Sequence, residues 1–272
     1  MLHRLKQLLA PIRYWKELPL RPLGDRPATT TPLASKIPPI VFQTWEDRLF
    51  GKTHLRELAT FRELNPELTF LLWDRAQRDD YMRAHWGHHP VSEIYQQAQF
   101  GPMKADLFRY CLLADRGGFY FDISKGVSVP LRRFYGTDTD ALITFEPHAN
   151  PAPGNPATAA NLLHPDKLVL QWGLGFAPGH PIPLRTIANI CEAYPTYKGR
   201  TFASPKSAIL AFTGPAMFTR SVHDVLAMGP LPNMAQAGID FDGHGIFAMK
   251  GSRVRYMTAP AYTKAKDQPI VL

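Results

Sequence analysis

Cysteine is scarce: two residues in 272, Cys111 and Cys191. That excludes a disulfide-stapled scaffold, and no Cys/His pattern has zinc-ligand spacing. Both lie in apolar, helix-like stretches where a free cysteine acts as a small hydrophobe, and a reducing cytoplasm is the compartment such usage fits. Long apolar runs are lacking as well. Near the N-terminus the longest is Leu8-Leu9-Ala10, too short for the core of a secretory signal. No stretch approaches the roughly 18 apolar residues of a membrane span. The GxxxxGK[ST] phosphate loop, the GxSxG elbow and the HExxH helix are all missing.

What is present describes a folded chain. Hydrophobic residues make up 45% and charged ones 20%, enough for a core and too little charge for wholesale disorder. The length suits one large domain, or a domain with a tail. Proline is abundant at 26 residues, about twice its usual share, which favours short connections and loops over a helical bundle.

The net charge of +8 is unevenly spread. Arg4, Lys6, Arg13, Lys16, Arg21, Arg26 and Lys36 face only Glu17 and Asp25 in the first 36 positions. A basic tail on a nearly balanced body is poor grounds for nucleic-acid binding, and none is expected. Leu2, Leu5, Leu9, Ile12 and Trp15 recur at helical spacing, with Pro11 interrupting. A basic amphipathic segment over 1–16 can rest on an anionic membrane surface, or pack on its own domain or a partner. Six prolines between 19 and 39 read as a linker. The expected division is a basic segment and Pro-rich linker over 1–36, then one domain over 37–272.

Within that domain, strand and helix patterns alternate. Residues 40–45 (IVFQTW) read as a buried strand, 53–64 as a helix, and 69–73 (TFLLW) as a strand followed by Asp74, a natural helix cap. The clearest helix is 102–116, with Pro102 at its start and Gly117-Gly118 at its end. Residues 119–123 (FYFDI), 141–145 (ALITF) and 168–176 read as strands, and 181–193 and 214–228 as helices. Gly245–Met249 and Arg253–Met257 are late strand candidates, and 147–166 is a long loop. This βαβα rhythm predicts an α/β fold with a mostly parallel sheet flanked by helices.

The chemistry concentrates in KADLFRY (104–110) and GGFYFDIS (117–124). Asp106 and Arg109, three apart, share a helix face. Asp122 ends a strand, the edge where open α/β sheets bind ligands. Two acids and an arginine brought there can hold sugar or ribose hydroxyls, or a cation carrying a diphosphate. The plainer alternative is a surface ion pair and an ordinary strand end.

Residues 37–45 (IPPIVFQTW), Asn65-Pro66 with Trp73-Asp74, the A-D-x-x-R helix, the GG-x-Y-x-D strand, then F176-A177-P178-G179-H180-P181 and T213-G214-P215 together resemble the DXD sugar-binding glycosyltransferases of family 32. That group includes yeast mannosyltransferases and bacterial capsule and lipopolysaccharide enzymes. The resemblance spans roughly 37–220 and implies a GT-A, Rossmann-like nucleotide-diphospho-sugar transferase fold. It implies a UDP- or GDP-linked sugar donor, an oligosaccharide or lipid-linked acceptor, and transfer with retention in surface-polysaccharide synthesis at the inner face of the membrane. By the same resemblance Trp45 packs on the nucleotide base, or is a core indole; Asp106 and Arg109 hold the donor sugar, and Tyr120 supports the motif. Asp122 is the catalytic residue, the first Asp of DXD, at the ribose, the sugar and the metal; Ser124 adjoins the donor, and Gly214 and Pro215 shape the acceptor side.

The tag departs from the pattern at Ser124, which stands where the second acid of DXD belongs. A neutral hydroxyl is a poor ligand for Mn²⁺ or Mg²⁺. Three readings stay open. Asp122 is joined by replacement ligands, for which Asp240, Asp242 and His244 of D-F-D-G-H are candidates; or Lys125, Lys250, Arg253 or Arg255 neutralise the diphosphate without metal; or the chain binds nucleotide-sugar without turnover. The D-F-D-G-H run also reads as a plain polar turn. Glu146, ending the ALITF strand, is a further candidate for the site.

Overall fold

In the computed structural model, which describes residues 15–148, 158, 160–253 and 262–272, six strands pair into one sheet. They are β1 (Ile40–Thr44), β2 (Thr69–Trp73), β3 (Gly118–Phe121), β4 (Ala141–Phe145), β5 (Gly173–Phe176) and β6 (Met234–Ile239). The spatial order is β6-β4-β5-β3-β1-β2, and β5 alone runs antiparallel to its neighbours. The helices are α1 (Lys52–Glu63), α2 (Arg75–Trp86), α3 (Val91–Gln97), α4 (Gly101–Arg116), α5 (Pro181–Ala193), α6 (Pro205–Phe212) and α7 (Pro215–Met228). The α/β class expected from the sequence, a mostly parallel sheet flanked by helices, is the one observed.

Alternation along the strands builds two cores. Phe42, Tyr120, Ile143 and Leu174 face α4, α5 and α7, whereas Val41, Phe119, Phe121 and Leu142 face the other way, with Leu58 and Phe61 of α1. Burial on both faces explains why β3 and β4 read as unbroken apolar runs. Asp74 caps α2 as its position promised: its carboxylate accepts from Gln77 N at 3.0 Å while the Gln77 amide accepts from Asp74 N at 3.1 Å. Such a reciprocal cap stabilises a helix by about 1 kcal/mol.

The α4–β3 junction positions the site. Gly117 has φ +62° and Gly118 φ +100°, and a Cβ at Gly118 would sit 2.9 Å from the carbonyl oxygen of Ile40. Only glycine fits there, so the chain leaves the helix and enters the strand with no intervening loop. Residues 106–109 then lie about 12–16 Å back along the helix at 1.5 Å per residue. Asp122 lies a similar distance, roughly 13 Å, up the strand at about 3.3 Å per residue. The two segments meet at the same height.

Some expectations shift. Only the last four residues of the 168–176 strand join the sheet; Val169 forms an isolated bridge to Phe145, and the carbonyls of Gln171 and Trp172 turn toward neighbouring elements instead. Of 245–249, only Gly245–Ile246 pairs, antiparallel to Gly126–Val127. Residues 254–257 of the last strand candidate fall outside the described residues, as do residues 1–14 of the amphipathic segment. In the proline-rich stretch, Arg21–Pro22 pairs with Leu49–Phe50, and Asp25 accepts a hydrogen bond from Leu72 N at 2.9 Å. Strand β6 and helices α3 and α6 were not anticipated.

His180 opens α5, its Nδ1 accepting from Ile182 N at 3.2 Å, and it is buried beside Asp140. Burial pushes its pKa down to about 4, against the pull of Asp140. The imidazole is neutral in the folded chain and takes a proton in the unfolded one, so this site favours folding fully above pH ~6.5 and progressively less down to pH ~4. Urea unfolding across that window should show a loss approaching about 1.4 kcal/mol per pH unit. His180→Asn, which keeps a capping side chain, should flatten it. An unchanged slope in the variant would assign the acid sensitivity elsewhere.

Candidate active site

Arg109 is the hub. Its Nη2 lies 3.0 Å from Asp106 Oδ1 and 3.0 Å from Asp122 Oδ1, and its Nη1 donates to the carbonyl of Gln171 at 2.8 Å. The guanidinium carbon sits 4.5 Å from the centre of the Tyr120 ring. Tyr120 in turn donates to Asp122 Oδ1 at 3.2 Å. A planar, permanently charged fork is suited to such multiple pairing, and its three anchors leave it one orientation.

Asp106 is held from behind. Gln171 Nε2 donates to its Oδ1 at 2.9 Å and Thr213 Oγ1 to its Oδ2 at 2.8 Å, while Gln171 Nε2 also reaches Tyr110 Oη at 2.7 Å. Burial pushes the Asp106 carboxyl up to about 7, opposed first by Arg109 and then by the Thr213 hydrogen bond. Gln171 is not singled out by its sequence context, and Thr213 figures there only within the T-G-P motif, without a role. The available signal was a lone polar residue inside the apolar run V-L-Q-W, and a threonine directly before the Gly214-Pro215 turn.

Exposure separates the three. The Asp106 and Arg109 side chains are 9% and 5% exposed, that of Asp122 34%. Asp122 is therefore the accessible member of the trio, and the other two are buried. Trp45, half-buried at the end of β1, lies along the same edge and packs on the second-face core. Gly214 and Pro215 start α7; a Cβ at Gly214 would meet the Leu210 backbone at 2.6 Å, so this turn requires glycine and keeps Thr213 on Asp106.

The residues proposed as replacement metal ligands do not converge. Asp240, Phe241 and Asp242 have φ of 50°, 54° and 54°, a left-handed turn locked by Phe241. That ring is fully buried against Phe121, Trp172 and Phe134, and its N–H donates to Thr144 Oγ1 at 2.9 Å. The Asp240 carboxylate lies against Gly245, the Asp242 carboxylate folds back on Gly238, and His244 Nδ1 lies 3.5 Å from Ser128 Oγ. Among the described residues, no three His, Cys, Asp or Glu side chains gather closely enough to hold a metal ion. The oxygen Oδ1 of Asp122 already accepts from both Arg109 and Tyr120. The described residues therefore do not supply Asp122 with the set of ligands that a divalent cation takes.

Cations and acids instead share the patch beyond Asp122. Burial raises the carboxyls of Glu146 and Asp240, and Lys125 and His148 pull both back down. The Lys125 ammonium donates to the carbonyl of Phe247 and lies 5.7 Å from the Trp172 ring centre. Lys250 and Arg253 are exposed on the following loop, and Arg255 lies outside the described residues.

Residues 51–143, from α1 through β4, match the family model described as a glycosyltransferase sugar-binding region containing a DXD motif. Over that stretch the chain is similar to a DXD-type sugar-binding region. The stretch holds Asp106, Arg109, Tyr120, Asp122 and Ser124. The chain is also similar to the initiation-specific alpha-1,6-mannosyltransferases of Schizosaccharomyces pombe, at 26% identity over 72% of this chain and 50% of that protein, and of Candida albicans, at 24% over 70% and 53%. A third relative, inositol phosphoceramide mannosyltransferase 3 of S. pombe, is 22% identical over 58% of this chain and 38% of its own. The chain thus spans about half the length, or less, of the curated relatives it matches. Among solved structures, the PaToxG glycosyltransferase aligns with a TM-score of 0.48 and 12% identity over 81% of this chain and 76% of that one.

Proposed function

We propose that the chain transfers a hexose from a nucleotide-sugar to a glycan or lipid-linked acceptor, with the donor held at Asp122. The observation that carries this reading is Arg109 bridging Asp106 to Asp122 at the carboxyl edge of the sheet, inside the glycosyltransferase region. In the transfer, the bond from sugar C1 to the diphosphate oxygen breaks and its electron pair leaves with the nucleoside diphosphate. The acceptor hydroxyl forms the new C–O bond and passes its proton to the departing diphosphate oxygen. Asp122 accepts hydrogen bonds from the donor's hydroxyls, Arg109 fixes the carboxylate, and Asp106 acts through Arg109 as a positioning residue. Preorganised charges of this kind act without reorganising during the reaction.

The relatives' names share one sugar, which supports mannose, GDP-linked, as the first donor to try. An alpha product from an alpha-linked donor corresponds to retention. Surface-glycan assembly, with residues 1–16 resting on the inner face of the membrane and 37–272 as the catalytic domain, fits the basic N-terminus; no helix of the described residues is long and apolar enough to cross a membrane. Ser124 favours a second reading, a nucleotide-sugar binder without turnover.

A thermal-shift panel of GDP-mannose, UDP-glucose and UDP-galactose distinguishes these. A saturating donor adds about 3 kcal/mol at a hundred times its Kd, a rise of roughly 6–12 °C for a domain of this size. Release of nucleoside diphosphate with acceptor present separates enzyme from binder. No shift with any sugar nucleotide would sink both readings.

A further inference from the structure

The mismatch between this site and a divalent cation has a counterpart in the same place. Position 124, where a second acid would bring its charge, is a serine whose carbonyl accepts from Met249 N at 2.8 Å. Lys125 follows it in sequence, and Lys250 follows Met249. Two lysines therefore neighbour position 124 along the backbone, one on each of two segments that also pair through Gly126–Val127 and Gly245–Ile246.

The geometry keeps both segments at the donor edge. The N–H of Lys125 donates to the carbonyl of Asp122 at 2.8 Å, closing the turn that follows β3. Its side chain runs past Trp172 to the Phe247 ring, whose centre is 3.2 Å from Nζ, and Phe247 is 64% exposed. Glu146 and Asp240 face the same ammonium from the ends of β4 and β6. Lys250 is exposed on the segment that Met249 joins to Ser124.

We propose that Lys125 and Lys250 together supply the counter-charge for the donor diphosphate, so that the nucleotide-sugar binds without a divalent cation. A second acid with a bound divalent cation would bring a net charge of about +1, and a serine with two lysines brings about +2, part of which Glu146 and Asp240 offset. A lysine ammonium is a compact point charge on a flexible stem, suited to phosphate oxygens. As the bond from C1 to the diphosphate breaks, the two ammonium groups stabilise the charge that accumulates on the phosphate oxygen, and neither forms a covalent bond. This assignment rests on the donor-site reading above and names its cationic half.

Calorimetric titration of GDP and of UDP into the full chain tests it, once in EDTA and once in Mn²⁺. The nucleotide that binds should do so in EDTA with a Kd within about threefold of that in Mn²⁺. Lys125→Met and Lys250→Met should each weaken binding in EDTA roughly tenfold, the size of one lost charge-assisted contact. The double variant should lose both contributions. Lys250→Met alone, at an exposed position, should weaken binding while melting like the parent, and the melting of the Lys125 variant reports the loss of its half-buried contact with the Phe247 carbonyl. Ser124→Asp should make binding respond to Mn²⁺. Binding that appears only with Mn²⁺, or a double variant that binds like the parent, overturns the lysine assignment while the donor site stands. No binding of either nucleotide in either buffer overturns the donor reading, and this proposal with it.

Discussion

Arg109→Ala should destabilise the chain by about 3–5 kcal/mol, the range for removing one partner of a buried ion pair. The loss is large because the guanidinium is nearly inaccessible and serves two carboxylates at once, both with Oδ1 at 3.0 Å. Without it, Asp106 stays buried with hydrogen bonds from Gln171 and Thr213 but no countercharge. Burial already pushes that carboxyl up to about 7 with Arg109 in place, so the variant should take up a proton there near neutrality. Arg109→Lys should recover part of the stability but not donor binding, since an ammonium cannot span both acids and the Gln171 carbonyl in one plane. Urea denaturation of the three proteins measures this. If the alanine variant unfolds within about 1 kcal/mol of the parent, the bridge is a surface-type pair and the positioning role falls.

Asp122→Asn tests the other end of the bridge and should separate activity from stability. The amide keeps the volume and an oxygen for Arg109 and Tyr120, and the side chain is a third exposed, so melting should move little. Turnover should fall by about 10²–10³, the usual cost of deleting one preorganised electrostatic contact to the transition state. The loss should appear in kcat more than in KM. Asp106→Asn, by contrast, should lower stability as well as turnover, because it disturbs a buried network that sets the orientation of Arg109. Equal loss of stability in the two asparagine variants would contradict the division between an accessible Asp122 and a supporting Asp106.

Much of the fold is local in origin and was legible for that reason. Strands β1 to β4 are short apolar runs between turn residues; α1, α2, α4, α5 and α7 carry 3.6-residue periodicity with Asp74, Pro102, Pro181 and Pro215 at their starts. Strand β6, M-A-Q-A-G-I, is a half-exposed edge strand with no β-branched residue before its last position, and it exists because β4 offers a partner from Met234 opposite Ala141 onward. Helices α3 and α6 are each about two turns long, too short for a period to register.

The donor trio divides along the same line. Sequence by itself determined that Asp106 and Arg109 share a helix face, that Gly117-Gly118 turns the chain straight back, and that Asp122 ends the returning strand, because these follow from helix rise, strand rise and the sterics of glycine. It also determined that Ser124 replaces an acid. Only the tertiary structure decided that Arg109 bonds both acids, that Gln171 and Thr213 support Asp106 from 65 and 107 residues away, and that Asp240, Asp242 and His244 point apart. Those outcomes depend on how strands distant in sequence pair and on which way a buried Phe241 forces its turn, and no local pattern encodes either.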